Sequence, residues 1–251
     1  MSNQHKPYVL SIAGHDPCGG AGIIADAKTF EQCYTIGFCV ATAITYQTEK
    51  TFDGVKWLPL QEIKNQLKPL LATYKIGFIK VGLIESLETL YELIVEIKQK
   101  DTAIKILWDP ITKASAGFVL HNKWPKELLE KVLKQLYIIT PNYNEAQELA
   151  GTDANDAIQY LRSFTNVYLK GGHNPHQPAT DELYLMNEEV HVFTPDVISN
   201  YQKHGTGCVF SAALTAHLSN GFSLYDACKH SKAYITKYIE SNESLLGYHN
   251  N

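Results

Sequence analysis

The segment His204-Gly205-Thr206-Gly207-Cys208 carries the residue types best suited to chemistry in this chain. Two glycines flank a threonine, and the apolar run Val209-Phe210-Ser211-Ala212-Ala213-Leu214 follows at once with helical spacing. Glycine permits a tight turn and a close approach of backbone to a ligand. The first N–H groups of a helix have no partner within it and carry partial positive charge. Together these features make a socket for an anion such as a phosphoryl group in transfer. Cys208 stands at the mouth of that socket, where the helix field is expected to favour its thiolate. Taken alone, the segment reads equally as an ordinary loop with Cys208 a small buried apolar residue.

Two acids add to this. Asp109 follows the apolar run Ile104–Trp108 and is stiffened by Pro110. A carboxylate there suits Mg²⁺, directly or through water, or else serves as a turn residue. Glu145 closes Thr140-Pro141-Asn142-Tyr143-Asn144-Glu145, either as a first-turn acid facing a helix dipole or as a second carboxylate near the same cation. Considered together, the two point to Mg²⁺ and a nucleotide. Lys170-Gly171-Gly172-His173 offers a cation and pliant backbone near a phosphate, or simply a glycine turn. The loop Gly14–Gly22 is rich in glycine, but it lacks the Gly-Lys-Ser/Thr ending of a Walker A loop and the Gly-x-Gly-x-x-Gly spacing. Asp26 lies one turn into the helix that follows, at a spacing that aims it at the same rim unless it is merely solvated. Gln47 offers a donor and an acceptor, as the edge of a heterocycle requires, or is a surface hairpin residue. His121, His176, His191 and His217 show no metal-ligand spacing and read as structural or surface residues.

These residues need elements to hold them. Tyr8–Ala13, Phe38–Thr45, Ile76–Val81, Ile104–Trp108, Leu136–Thr140 and Val167–Lys170 read as strands. They are apolar throughout, as strands covered on both faces are. Helical spacing runs over Ala21–Gln32, Leu60–Tyr74, Ser86–Lys100, Pro125–Leu133, Asn144–Phe164, Gly207–Ser219 and Ser223–Ser241. This alternation predicts a mostly parallel sheet with helices on both sides. Two hairpins interrupt it: Gln47–Leu58, turning at Asp53-Gly54, and Asp181–Phe193, turning at Asn187-Glu188. Ligands of open parallel sheets sit beyond the C-terminal strand ends. That rule puts Gly14–Gly22, Gln47, Gly82, Asp109, Asn142 with Glu145, and Lys170 on one rim.

The chain has 251 residues, 45% hydrophobic and 19% charged, which fits one domain over 1–251. A net charge of -4 gives no electrostatic case for nucleic acid or an anionic membrane. Charges near Lys98–Asp101 and Lys123–Lys134 alternate in sign, as on solvated helix faces. The five cysteines are odd in number and include no Cys-x-x-Cys pair, which argues against a disulfide framework or a structural zinc site. Tyr8–Ala13 is too short for a signal core or a membrane span. The expected setting is cytoplasmic.

The blocks Ser11-Ile12-Ala13-Gly14-His15-Asp16-Pro17-Cys18-Gly19-Gly20-Ala21-Gly22 and Ala25-Asp26-Ala27-Lys28-Thr29 resemble the opening of the hydroxymethylpyrimidine/phosphomethylpyrimidine kinases of thiamine biosynthesis, in the ribokinase-like superfamily. Lys80-Val81-Gly82-Leu83, Asp109-Pro110, Thr140–Glu145, Lys170–His173 and His204–Cys208 follow in the family's order. The first and last blocks are specific, while the middle ones are shared across the superfamily. The resemblance implies a ribokinase-like three-layer α/β/α sandwich with a mostly parallel central sheet. It also implies ATP-dependent phosphorylation of 4-amino-5-hydroxymethyl-2-methylpyrimidine and/or its monophosphate. By that likeness Asp26 and Gln47 hold the ring, and Gly14 and Leu83 line its pocket. Asp109 and Glu145 support Mg²⁺, and Asn142, Lys170, Gly172 and Lys232 flank ATP. Gly205, Thr206, Gly207 and Cys208 form the anion hole, with Cys208 where sugar-kinase relatives carry an aspartate base. K⁺ as a further cation and a homodimer also belong to the likeness. A pyridoxal/pyridoxine kinase of the same superfamily is the alternative, and a non-catalytic pyrimidine-binding sensor a more distant one. The chain departs from the family at His15 and Cys18, where serines are usual, over Asp109–Gly117, at Val209, and at its C-terminal residues.

Overall fold

Residues 5–112, 124–173, 179–195 and 198–250 are described by the structure, a computed structural model. Strand β1 (Tyr8–His15) sits inside the sheet, and its residues divide between two cores. Leu10 and Ile12 pack into one apolar cluster, Val9 into another. The same alternation recurs on β5 (Lys105–Trp108), where Ile106 and Trp108 face one side and Leu107 the other. That is the period of two expected of a strand, with both faces apolar because both are covered.

Around β1 lie β2 (Ile36–Gln47), β3 (Phe52–Trp57), β4 (Ile76–Val81), β6 (Ile138–Ile139), β7 (Asn166–Leu169), β8 (Asp181–Tyr184) and β9 (Val190–Phe193). The order is β3-β2-β1-β4-β5-β6-β7-β8-β9. The six central strands run parallel; β3, β8 and β9 are antiparallel at the edges. Helices α2 (Leu60–Thr73), α3 (Leu87–Lys100), α4 (Lys126–Leu133), α5 (Tyr143–Ala150) and α6 (Ala154–Arg162) cover the face that holds Leu10 and Ile106. Helices α1 (Gly22–Gln32), α7 (Thr206–Ser219) and α8 (Leu224–Glu240) cover the other. This is the three-layer sandwich with a mostly parallel sheet that the sequence leads one to expect. Helix α7 is buried almost all round, packed between the sheet, α1 and α8, which explains its unbroken apolar run.

Two expectations are corrected. The helix expected over Asn144–Phe164 is two helices. Gly151 adopts φ 70° and ends α5, and the Asp153 side chain accepts the N–H groups of Asn155 and Asp156 to start α6. The first hairpin turns at Thr48–Thr51, not at Asp53-Gly54. The Thr48 hydroxyl accepts the N–H groups of Lys50 and Thr51, so the local side chain closes the turn. Gly54 lies within β3 opposite Tyr46. The second hairpin turns at Asn187-Glu188 as expected, with Glu188 at φ 75°. His121, His176 and Lys123, and most of the stretch Asp109–Gly117, lie outside the described residues.

A Cβ at Gly151 would meet nothing within 4 Å. Gly151→Ala therefore costs only left-handed backbone strain, roughly 1–2 kcal/mol in urea unfolding. A markedly larger loss would show that packing, not φ, fixes this residue.

Candidate active site

A cavity of about 420 Å³ opens beyond the C-terminal ends of the parallel strands. Its floor is made by two backbone bends pressed together. Gly205, at φ 76°, precedes α7, and a Cβ there would stand 2.0 Å from the Gly20 carbonyl oxygen. Gly22, at φ 60°, begins α1, and its Cβ would stand 2.2 Å from the Gly14 carbonyl oxygen. No other residue type fits either place. The close approach leaves Thr206, Gly207 and Cys208 on the cavity wall, where first-turn N–H groups point outward from the helix.

The acids stand on the same wall. Asp109 is 1% exposed; its Oδ1 accepts the Thr140 hydroxyl (3.0 Å) and the Lys170 ammonium (2.8 Å), and its Oδ2 accepts the Ser211 hydroxyl (3.1 Å). Burial opposes the Asp109 charge, but the Lys170 and Lys80 ammonium groups and these hydrogen bonds hold its pKa below the usual value. Glu145 and Asn142 form a capping box at the start of α5, and Lys170 Nζ lies 3.5 Å from Glu145 Oε2. Burial, with the nearby Asp109 charge adding to it, pushes Glu145 up to about 7 despite Lys170. Burial pulls the Lys170 pKa down, yet the two carboxylates outweigh it and raise it. Asn142, Gly172, Gly14, Leu83 and Gln47 also line the cavity. So of the fourteen residues singled out from the sequence, twelve share one wall.

Asp26 and Lys232 do not, and the expectation that Asp26 reaches the rim is corrected. Asp26 is fully buried on the inner side of α1. Its carboxylate bonds the Lys80 ammonium and the Ser11 hydroxyl, beneath the cavity rather than on its rim. An acid on that inner side of the helix needs a cation, and β4 supplies Lys80, itself fully buried. Burial works against the Lys80 charge, but Asp26 and Asp109 hold its pKa above the ordinary value. Lys80 Nζ also donates to the Cys208 carbonyl at 3.3 Å. Lys232 reaches the Ala179 carbonyl and Asp181 Oδ2, both at 2.7 Å. Asp181 in turn accepts the Gly171 N–H, so Lys232 braces the Lys170–Gly172 turn from behind.

The expected Cys208 thiolate is also corrected. Burial pushes this thiol up to about 11, and the Asp109 and Asp26 charges add to the effect. Lys80 and the Gly22 N–H lower it by less. A helix terminus contributes about 1 kcal/mol or less in most settings, which does not offset burial here. Cys208 rests as a thiol.

Asp16, His204 and Lys80 were given no role from sequence. Asp16 Oδ2 accepts the Ala21 N–H (2.8 Å), His204 Nε2 (3.0 Å) and the Cys18 thiol (3.2 Å). Burial would raise Asp16, but these bonds win and hold it at about 2. The available signal was Asp-Pro-Cys-Gly, a sequence that favours an Asp side chain capping its own turn.

Comparison with known proteins follows from this geometry. Residues 16–251 match the family described as phosphomethylpyrimidine kinase. The hydroxymethylpyrimidine/phosphomethylpyrimidine kinase of Staphylococcus aureus strain MSSA476 is 33% identical over 246 residues, covering 94% of this chain and 89% of that one. The chain belongs to the phosphomethylpyrimidine kinase family. Among solved structures, phosphomethylpyrimidine kinase from Clostridium difficile 630 matches with TM-score 0.77 and 32% identity, covering 92% of this chain and 99% of that one. The pyridoxal kinase of Staphylococcus aureus in complex with pyridoxal matches with TM-score 0.83 and 28% identity, covering 97% and 93%. Membership makes the chain a phosphotransferase, and the cavity is where this family member gathers its charged groups.

Lys80→Met strands the Asp26 carboxylate in the core and is expected to cost about 3–5 kcal/mol of stability. The double variant Lys80→Met/Asp26→Leu is expected to lose less than Lys80→Met alone. Chemical denaturation of both variants tests the pair; equal losses would mean that the two charges do not depend on each other.

Proposed function

We propose that this chain transfers the γ-phosphoryl group of ATP to the hydroxymethyl oxygen of 4-amino-5-hydroxymethyl-2-methylpyrimidine, and then to its monophosphate. One observation carries the reading: the glycine-bounded N-terminus of α7 opens into the same cavity as Asp109, Glu145, Lys170 and Gln47. A volume of about 420 Å³ suits a small heteroaromatic ring beside a phosphate chain. Gln47 and the Gly14–Leu83 pair would hold the ring, and Gly14 is where a Cβ would stand 2.7 Å from Leu83 Cδ2. Asp26 acts through Lys80 rather than on the ring itself. Asn142, Lys170 and Gly172 would flank the nucleotide.

In the reaction the substrate oxygen bonds to the γ-phosphorus, the bond to the bridging oxygen breaks, and ADP leaves. Such transfers depend on position and charge neutralisation more than on a strong base. The N–H groups of Gly205–Cys208 would bind charge developing on the moving group. The Cys208 thiol would orient the attacking hydroxyl. Its proton leaves late, once bond formation has made that oxygen acidic, and passes to an oxygen of the transferred phosphoryl group. Asp109 and Glu145 fit a hydrated Mg²⁺, because both acids meet one cavity and share the Lys170 cation as their present counter-charge. When bound, Mg²⁺ neutralises phosphate oxygens. K⁺ enters by resemblance alone and is checked by omitting it from the assay.

The exposed side chains Ile36, Ile44 and Tyr46 on β2, beside the β3 edge, support a homodimer through this ribbon, to be tested by sedimentation. All five cysteines are free thiols, which supports a reducing, cytoplasmic setting. Among the described residues no helix is long and apolar enough to cross a membrane.

The likeness to a pyridoxal kinase supports a second reading, since pyridoxal is also a heteroaromatic ring bearing a hydroxymethyl group. Side-by-side assays with ATP, Mg²⁺, the two pyrimidine forms and B6 vitamers separate the two readings. Turnover of pyridoxal with none of the pyrimidine overturns the first. ADP release dependent on substrate and Mg²⁺ rejects a non-catalytic sensor. Cys208→Ala is expected to lower kcat by roughly 10²-fold or more while preserving the fold; unchanged turnover would remove the thiol from the reaction.

A protonated Glu145 is a poor Mg²⁺ ligand. Apparent Mg²⁺ affinity should rise with pH up to about 7, the value to which Glu145 is pushed, and then level off. The slope is at most about tenfold per pH unit, and Glu145→Gln flattens it. The sign for stability is opposite: without a cation, the raised pKa favours folding in acid, and that contribution is lost as pH climbs from the ordinary carboxylate range through about 7.

A further inference from the structure

Among the described residues, one group of His, Cys and acidic side chains brings its ligand atoms within 4.8 Å of one another: Asp16, Cys18 and His204. It includes neither Asp109 nor Glu145. Asp16 and Cys18 belong to the loop between β1 and α1, and His204 immediately precedes the Gly205 bend. Asp16 and His204 are buried and line the cavity, while Cys18 is half-buried. Asp16 is already fixed from behind, because its Oδ1 accepts the Cys18 N–H at 3.0 Å and its Oδ2 the Ala21 N–H at 2.8 Å.

We propose that Asp16, Cys18 and His204 form a binding site for Zn²⁺, distinct from the acids that suit Mg²⁺, in which the ion ties the glycine loop to the bend before α7. Three arguments support it. First, the donor set is right. One thiolate, one imidazole and one carboxylate match zinc's preference for nitrogen and sulfur ligands, whereas Mg²⁺ takes oxygen. Second, the spacing is right. Ligands about 2.0–2.3 Å from a tetrahedral zinc lie roughly 3.3–3.8 Å from one another. Here Oδ2 of Asp16 lies 3.0 Å from His204 Nε2 and 3.2 Å from Cys18 Sγ, and the three ligand atoms all lie within 4.8 Å of one another. Third, the thiol exceeds what the loop needs. A hydroxyl at this position would make the same bond to Asp16. Sulfur adds a soft metal ligand to a loop that a hydroxyl would already hold.

On binding, the Cys18 thiol proton passes to solvent and sulfur bonds the metal, while the His204 proton shifts from Nε2 to Nδ1 by exchange with solvent, which frees Nε2 as a ligand. The fourth position adjoins the cavity, because two of the three ligands line it.

The test uses the full chain with Mg²⁺ in excess, and Zn²⁺ or Co²⁺ alone as probe. One equivalent of Zn²⁺ should bind by calorimetry. Co²⁺ should give tetrahedral visible bands and a thiolate-to-cobalt band in the near ultraviolet. Cys18→Ser should abolish the thiolate band and weaken Zn²⁺ by at least about tenfold, and Cys208→Ala should leave the band intact. Cys18→Ala repeats the measurement if the serine variant folds poorly by circular dichroism. Absence of a thiolate band in the unmodified chain overturns the proposal. So does a band that survives in the Cys18 variants or disappears with Cys208. None of these readouts depends on kinase turnover, so the site stands or falls apart from the reaction proposed above.

Discussion

Lys80 is wholly buried, and its ammonium joins three elements of the fold. From β4 it bonds the Asp26 carboxylate of α1 and the Cys208 carbonyl in the first turn of α7. A buried pair of this kind contributes little net stability against an apolar substitute, but losing one partner is costly. Its value here is positional. It keeps α1 and α7 in one register over the sheet, and the two glycine bends that form the cavity floor start those same helices. It also leaves a fixed positive charge beneath the α7 N-terminus, adding to the field of the helix itself.

That field explains the protonation pattern around the cavity. Asp109, near Lys80 and bonded to Lys170, is held ionised, whereas Glu145, shielded from water and close to Asp109, is pushed up to about 7. Two carboxylates sharing one nearby ammonium divide in this way because the second charge has less to stabilise it. The cavity thus presents one acid held below its ordinary pKa and one pushed up to about 7. An incoming cation would complete the neutralisation, and an incoming phosphate chain would add charge of the opposite sign. At Cys208 burial, helped by the Asp109 and Asp26 charges, outweighs the Lys80 ammonium and pushes the thiol up.

Much of this was legible in the sequence because local rules and tertiary position agree. The six parallel strands read as unbroken apolar runs, since each packs against helices on both faces. Residues after those strands meet at one rim, so Gln47, Asp109, Asn142, Glu145 and Lys170 could be placed together without coordinates, whereas Leu83 and the Gly205–Cys208 bend joined them through the resemblance. What escaped were contacts between distant parts of the chain. Asp26 shares the inner side of α1 with Ala25 and Thr29, but its spacing pointed to the rim; Lys80, 54 residues later in an apolar strand, makes burial tolerable. The Asp16–His204 contact spans 188 residues and leaves no periodic trace. The Asp53-Gly54 pair misled for a different reason. The Thr48 side chain closed the hairpin earlier and carried the dipeptide into β3.

The same contrast separates positions fixed by space from positions that packing leaves open. Gly205 and Gly22 are fixed by backbone oxygens that would lie 2.0 and 2.2 Å from any Cβ, so no side chain can replace them without moving a main chain. Cys18 is under no such constraint. Its hydrogen bond to Asp16 would pass to a hydroxyl at little cost, and nothing in the packing of a half-buried loop residue calls for sulfur. A constraint of space therefore accounts for the glycines, and no such constraint falls on the cysteine. Where packing leaves a residue free and its chemistry is unusual, function is the better explanation of its identity.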